Sequence, residues 1–380
     1  MSMTMLAGFF SLFGFGLIVA FLGSIKLKLV VRIGADNAQF GRILAAFQWI
    51  MVIMAIAGGI AIDNVGHQAA ISAGALLAAT AIFLIGRVRN RNLIFFSCAL
   101  LGLGGQLLYA GGNTLLPALF EDPSAGSSLG NAVFGLGALL MSLIITALFQ
   151  RMSFERALTF IAFLVLTPLF FALAGEFPTI AYTFELATAF SLLTNHVTWI
   201  AALVLFCYIG LEVSMGAWIT SLAVELDADE TQAIRTLSFF LVAMMLSRLF
   251  FGLQDRITGI QLTPIGGLLL IGAGVVATVA LSGLVRTRSL RAARGWIFLI
   301  GFVFGPIFPT TIGMTLAHFA PSTWGTLFGV IATGGSIGAA LIPVWIGRRS
   351  TTHTVQSSFG ILRRAAFATT AAATILSLLR

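Results

Sequence analysis

Charge is scarce in this chain. Of its 380 residues only 9% are Asp, Glu, Lys or Arg, and 13 are acidic, where a soluble domain carries about 25% charged residues. With 59% hydrophobic residues and a mean hydropathy of +1.04, no water-soluble fold of this length hides so much apolar surface, so lipid must serve as part of the solvent. Cysteine is almost missing. Cys98 and Cys207 both fall inside apolar runs and read as small buried hydrophobes, which excludes a disulfide framework. No His, Cys and carboxylate group has metal spacing, and there is no nucleophile–base pair or phosphate loop. The pattern therefore supports no enzyme, no cofactor and no metal. A long basic tract is also lacking. The net charge of +8 and pI near 10.7 would suit nucleic acid, but the basic residues stand singly or in small groups between apolar runs, which excludes that partner.

What is present is glycine (41 residues) and phenylalanine, which outnumbers tyrosine 34 to 3. Glycine lets membrane helices approach closely. A spanning helix needs about 20 apolar residues, and twelve runs qualify: approximately 5–30, 39–62, 67–86, 93–119, 129–150, 154–174, 197–224, 231–253, 263–285, 292–318, 323–346 and 357–379. The first lacks a basic leader and a small-residue cleavage site, so it reads as a retained span. Between the sixth and seventh lies "EFPTIAYTFELATAFSLLTNHV", with Pro178, two carboxylates and weaker hydrophobicity. It reads as a linker, partly an interfacial helix. The expected fold is an all-α membrane protein of twelve transmembrane helices in two pseudo-symmetric six-helix bundles, residues 1–174 and 197–380, joined by 175–196.

The halves echo each other. After the second span comes "GGIAIDNVGHQ", with Gly59, Asp63 and Gly66; after the eighth comes "FGLQDRITG", with Gly252, Asp255, Arg256 and Gly259. The two aspartates stand about half a chain apart. "GGNTLLPALF" in span four corresponds to "GPIFPTTIGM" in span ten, and "LGNAVFGLGALL" in span five to "GVIATGGSIGAALIP" in span eleven. Six-span duplications belong to two-fold transporter architectures.

Gly59, Asp63 and Gly66 resemble the signature loop of the major facilitator superfamily, although Asn64, His67 and Gln68 stand where that pattern has basic residues. A turn glycine permits a tight reversal, and the aspartate can cap a neighbouring helix N-terminus or pair with an arginine, so as to latch one conformation. Arg248, ahead of Asp255, is the candidate partner in the second half. Plain turn chemistry is the alternative.

A narrower resemblance covers most of the chain. "YIGLEVSMGAW" in span seven (Gly210, Glu212, Ser214, Gly216, Trp218), Asn113 late in span four, and Pro306 with Pro309 in span ten look like the fucose/glucose/galactose permease branch. That resemblance implies a secondary transporter, often of sugars and often coupled to H+ or Na+. Span one has no acid here, and Tyr109 stands where relatives can carry a carboxylate, which departs from the proton-coupled pattern.

A charge at the bilayer centre costs at least about 2.5–3.5 kcal/mol and is tolerated when it is paired, protonated or facing water. Glu212 is therefore either a substrate- or cation-binding carboxylate or a structural acid bracing span seven. Gln106, Tyr109 and Asn113 lie three and four apart, on one helical face; they suit hydroxyl recognition or serve as interhelical glue. Gln48 adds an amide beside Trp49, and Asn131 another in span five. Trp218 and Trp324 fit either stacking on substrate or anchoring at the interface. Pro306 and Pro309 each remove a backbone donor, bending a gating helix or meeting a packing need.

The substrate expected is a small, largely uncharged solute such as a monosaccharide. Gln48, Tyr109, Asn113, Asn131, Glu212 and Trp218 are the candidate binding residues, with Glu212 as the coupling candidate. The gating candidates are Gly59, Asp63, Gly66, Arg248, Asp255, Arg256, Pro306 and Pro309. The alternatives are an exporter of amphipathic compounds, such as drugs, and a sensor that kept the fold without transport. The expected setting is the plasma (inner) membrane, as a monomer. All of the 21 basic residues except Arg248, Arg256 and Arg380 lie at the ends that follow odd-numbered spans. Positive residues normally mark the cytoplasm, so this bias alone puts both termini outside, whereas the resemblance implies both inside.

Overall fold

The computed structural model describes residues 2–177 and 186–379. Among these the chain is built of helices: α1 (Met3–Ile33), α2 (Asn37–Arg87), α3 (Arg91–Leu119), α4 (Pro123–Arg151), α5 (Phe154–Val165), α6 (Thr167–Ala174), α7 (Leu186–Thr194), α8 (His196–Glu225), α9 (Glu230–Thr258), α10 (Leu262–Arg286), α11 (Leu290–Phe304), α12 (Ile307–Leu316), α13 (Trp324–Ser350), α14 (Val355–Ser358) and α15 (Gly360–Leu378). Within the expected linker, α7 begins at Leu186; residues 178–185, with Pro178, lie outside the described residues.

Among the described residues, eleven helical stretches are long and apolar enough to cross a membrane, and one of them, Gln39–Arg87, has 49 residues. At 1.5 Å per residue it would be about 75 Å long, more than twice the ~30 Å hydrocarbon core. Gly66 resolves the difference. Its φ of 83° and ψ of 165° interrupt α2, a backbone conformation that a Cβ disfavours. The stretch is two spans, which brings the total to twelve.

Short polar caps start the helices. Asp36 and Gln39 form a reciprocal capping box on α2, Asn195 accepts the Val197 N–H at 2.8 Å to open α8, and Asp229 accepts that of Gln232 at 2.8 Å to open α9. Each satisfies a donor that the first turn leaves orphaned. Two spans are broken inside. Pro168 follows the interruption at Leu166 between α5 and α6, and Pro306 stands between α11 and α12; proline cannot donate to the preceding turn.

The chain divides into two compact units, each drawn mainly from one of the expected halves. The first comprises Met1–Leu119, Val133–Ala189 and Ala320–Gly329; the second comprises Phe120–Ala132, Phe190–Phe319 and Val330–Arg380. Two short segments thus belong with the opposite half: the start of α4 and the start of α13.

In the first unit, Phe15, Ile18, Leu22, Ile25 and Leu29 make one stripe of α1, buried with Ala75, Ala78, Ile82 and Ile85 of α2 and Leu101, Leu108 and Leu115 of α3. The spacing of three and four is that of one helical face. Because lipid tails are as apolar as leucine, close van der Waals fit rather than water exclusion holds such helices together. In the second unit an aromatic wedge fills the interior: Phe304 packs edge-on against Tyr208 (5.8 Å between centroids) and Phe240 (6.1 Å).

Candidate functional site

The second unit carries a buried charge cluster. Glu212 lies mid-way along α8, and Arg248 lies on α9. Arg248 Nη2 donates to both Glu212 carboxylate oxygens, at 3.2 and 3.3 Å, and meets the Tyr208 hydroxyl at 3.4 Å. The Arg248 side chain is 4% exposed and that of Glu212 is 21% exposed. Tyr208 is one turn before Glu212 on the same face of α8 and is fully buried. Pairing answers the cost of placing either charge in the hydrocarbon core.

Arg248 therefore faces Glu212, not Asp255 as the sequence pattern suggested. Arg248 and Asp255 are seven residues apart, with Asp255 two turns further along α9, and its carboxylate accepts the N–H of its own neighbour, Arg256, at 2.8 Å.

Several polar atoms on the helices of the second unit are unsatisfied. Arg248 Nε, Ser247 Oγ, Ser214 Oγ, Trp218 Nε1 and Thr310 Oγ1 are buried with no hydrogen-bond partner among the described residues. Buried polar groups in native folds are nearly all paired, so these atoms on α8, α9 and α12 can each take a further polar partner. Gly305, just before Pro306, lies so close to Ser247 that a Cβ there would sit 2.4 Å from the hydroxyl oxygen. The break between α11 and α12 thus adjoins the cluster. Pro309 is buried in α12, and Arg256 is exposed.

In the first unit the α3 face is arranged differently. Asn113 is fully buried, and its Nδ2 donates to the Tyr109 carbonyl at 3.0 Å. Tyr109 stacks on Phe15 with centroids 4.4 Å apart and meets Phe328 edge-on at 5.4 Å. Gln106 Nε2 is buried without a hydrogen-bond partner among the described residues. Gln48 lies on an exposed part of α2, beside Trp49, which is 65% exposed. Asn131, in the second unit, is buried and donates to the Ser127 carbonyl at 2.9 Å.

The Gly59, Asp63 and Gly66 spacing resolves into a helix cap. Asp63 is buried, and its two oxygens accept the N–H groups of Gly325 at 2.8 Å and Thr326 at 2.6 Å, in the first turn of α13. The positive end of a helix dipole and two orphan donors meet one carboxylate. Gly59 explains why the helices approach so closely: a Cβ on it would sit 2.0 Å from the Gly325 carbonyl oxygen. His67, next to Gly66, bonds Thr114 at 3.0 Å.

One functional-looking residue escaped the sequence reading. Asp122, in the loop before α4, is 1% exposed. It accepts the Ser124 N–H at 3.0 Å, opening its own helix, and also the Thr263 N–H at 3.2 Å, the Leu262 N–H and the Thr263 hydroxyl, opening α10. Two helix N-termini converge on this carboxylate. Its signal was Asp-Pro-Ser, the pattern of an N-cap followed by proline at the first helical position.

A family profile for the Major Facilitator Superfamily matches residues 4–343. No curated protein matches the chain by sequence. Among solved structures, the E. coli fucose:proton symporter FucP is similar at 17% identity and a TM-score of 0.78, covering 97% of this chain and 98% of that one. FucP in the outward conformation matches at 16% identity and 0.79, covering 98% and 99%. The human organic anion transporter TETRAN matches at 16% identity and 0.73, covering 97% and 98%.

Proposed function

From the premise that the chain belongs to the Major Facilitator Superfamily, we propose that it moves a small polar solute, a monosaccharide or a similar polyol, across the membrane by alternating access, with Glu212 coupling transport to a cation. One observation carries this reading. A carboxylate in the middle of an apolar 30-residue helix keeps its side chain 21% exposed while bound to a buried arginine. A purely structural pair has no need of that exposure. A proton on Glu212 removes the charge that Arg248 balances, and the pair then separates or re-forms as the site fills and empties. Hydroxyl groups suit the unsatisfied donors on Ser214, Trp218 and Thr310 of the second unit. FucP, whose fold this chain shares, is itself a fucose:proton symporter. Asn113, Asn131, Tyr109 and Gln48 are the proposed further contacts.

Purified protein in proteoliposomes tests the proposal against a sugar panel, with and without proton and sodium gradients. Glu212→Gln, which keeps the shape and a hydrogen-bonding oxygen, is expected to retain counterflow and lose gradient-driven accumulation. Uphill transport equal to wild type would remove Glu212 from the coupling role. Extrusion of amphipathic dyes would replace this reading with an exporter of amphipathic compounds, and binding without flux would replace it with a sensor. A second reading rests on Arg248. It is a buried cation with an unpartnered Nε, so an organic anion could displace Glu212 from it. TETRAN is an organic anion transporter. Small carboxylates in the same panel separate the two readings. We place both termini in the cytoplasm, as in the family arrangement and against the Lys/Arg bias; a C-terminal reporter active only in the periplasm would reverse this.

A further inference from the structure

A groove of about 680 Å³ opens on the second unit where α8, α13 and α15 meet. Its inner wall is apolar and includes Phe206 and Cys207; its mouth carries Trp345, Arg348, Arg349 and Arg364. The three arginines are exposed. They form no ion pair among the described residues, and no carboxylate lines the groove. Arg348 and Arg349 end α13, and Arg364 lies in the second turn of α15, so all three are gathered at one end of the groove. Trp345, 44% exposed, stands one turn below them, where amphipathic rings mark the boundary between headgroups and hydrocarbon. Ile342, deeper in the groove, precedes Arg349 by two helical turns, about 10 Å.

We infer that this groove holds an anionic phospholipid, with its phosphate among Arg348, Arg349 and Arg364 and an acyl chain along Phe206 and Cys207. Both halves of the argument are needed. An apolar furrow facing lipid fills with any acyl chain. Three guanidinium groups without an ion pair at its mouth select a headgroup, because arginine presents donors in a fork matched to phosphate. A second groove of about 240 Å³ on the first unit, between α2 and α5, is lined by Leu76, Phe83 and Phe163 with no charged residue. It has the furrow without the mouth and serves as the internal comparison.

The test uses the full chain in vesicles, with tryptophan fluorescence quenched by brominated phosphatidylglycerol or brominated phosphatidylcholine. The difference between wild type and Trp345→Phe isolates the signal from the groove. The expected result is a preference of about a hundredfold for the anionic lipid in that signal, falling about fivefold for each arginine changed to glutamine. The Arg348→Lys, Arg349→Lys, Arg364→Lys variant keeps the charge without the fork and is expected to fall between wild type and the triple glutamine variant, which separates headgroup binding from a folding defect. Soluble glycerol phosphate, which has the headgroup chemistry without the chains, is expected not to compete at millimolar concentration. Equal quenching by the two lipids would overturn the inference, as would full competition by glycerol phosphate. Protection of Trp345 from both lipids, the sign of a second copy of the chain seated on the groove, would overturn it too.

Discussion

Asp63 closes the second span and Asp255 the eighth, at matching places in the two repeats. Asp63 is buried and receives two N–H groups from the start of α13. Asp255 is only half-buried, and its carboxylate turns back on the N–H of Arg256. By the symmetry of the duplication, Asp255 should cap the start of α4. That helix instead carries its own acid, Asp122, which opens α4 and α10 together. In each case a residue from one half of the chain terminates a helix of the other half. The helices share the duplicated pattern, but the capping acid stands in a different loop in each half. What survives duplication is the physical requirement: an N-terminus packed away from water must meet an acceptor, and any loop within reach can supply it.

That view ranks the three aspartates by the donors each would strand. Asp122→Ala should have the largest effect. It leaves the Leu262 and Thr263 backbone donors without their acceptor in a site that is 1% exposed, and takes one of two partners from the Ser124 N–H and the Thr263 hydroxyl, which still bond across the Ser124–Thr263 pair. At about 1–3 kcal/mol for each stranded buried group, partly relieved by rearrangement, the loss is about 3–5 kcal/mol. Thermal unfolding in detergent measures it. Asp122→Asn, which keeps one acceptor oxygen, should fall between the alanine variant and wild type. A loss no larger than that of Asp63→Ala would break the ranking.

Asp63→Ala should come second, at about 2 kcal/mol, because two donors are stranded and one helix dipole loses its counter-charge. Its second signature is local. Thr326, 4% exposed, replaced by cysteine should react with a polar maleimide severalfold faster when Asp63 is alanine, since the first turn of α13 is no longer tied down. Unchanged labelling would show that Asp63 stabilises the unit without restraining that turn. Combining Asp63→Ala with Asp122→Ala sharpens the comparison. The two caps lie in different compact units, so their losses should add to within about 0.5 kcal/mol.

The spans were legible because the requirement for about 20 apolar residues is one-dimensional. Even the divided α2 was marked, by Gly66 in its loop motif. The break at Leu166 was less visible, with only Pro168 to signal it. Pairing across helices was not legible. Glu212 and Arg248 are 36 residues apart, and the nearest acid to Arg248 along the chain was Asp255, so spacing pointed the wrong way. A stronger rule was available: two opposite charges, each inside an apolar span, are each other's cheapest partner. Asp122 was overlooked because a short loop between spans carries no periodicity. Only its Asp-Pro-Ser pattern, read as a helix start, would have brought it forward.

Asp255→Ala is the smallest effect and the sharpest test of the whole comparison. If position in the repeat determined the role, this variant would behave like Asp63→Ala. The geometry says otherwise. Asp255 accepts one N–H from its immediate neighbour, in a part of α9 where Arg256 is exposed and Gly259 ends the helix by bonding the Asp255 backbone carbonyl at 2.8 Å, a contact that the substitution leaves in place. Water can replace the lost acceptor, so the change should stay within about 0.5 kcal/mol, with transport rates near wild type. A loss approaching that of Asp63→Ala would mean that Asp255 takes up the symmetric cap on α4 in another conformation of the transport cycle, and Asp122 would then be its alternate rather than its replacement.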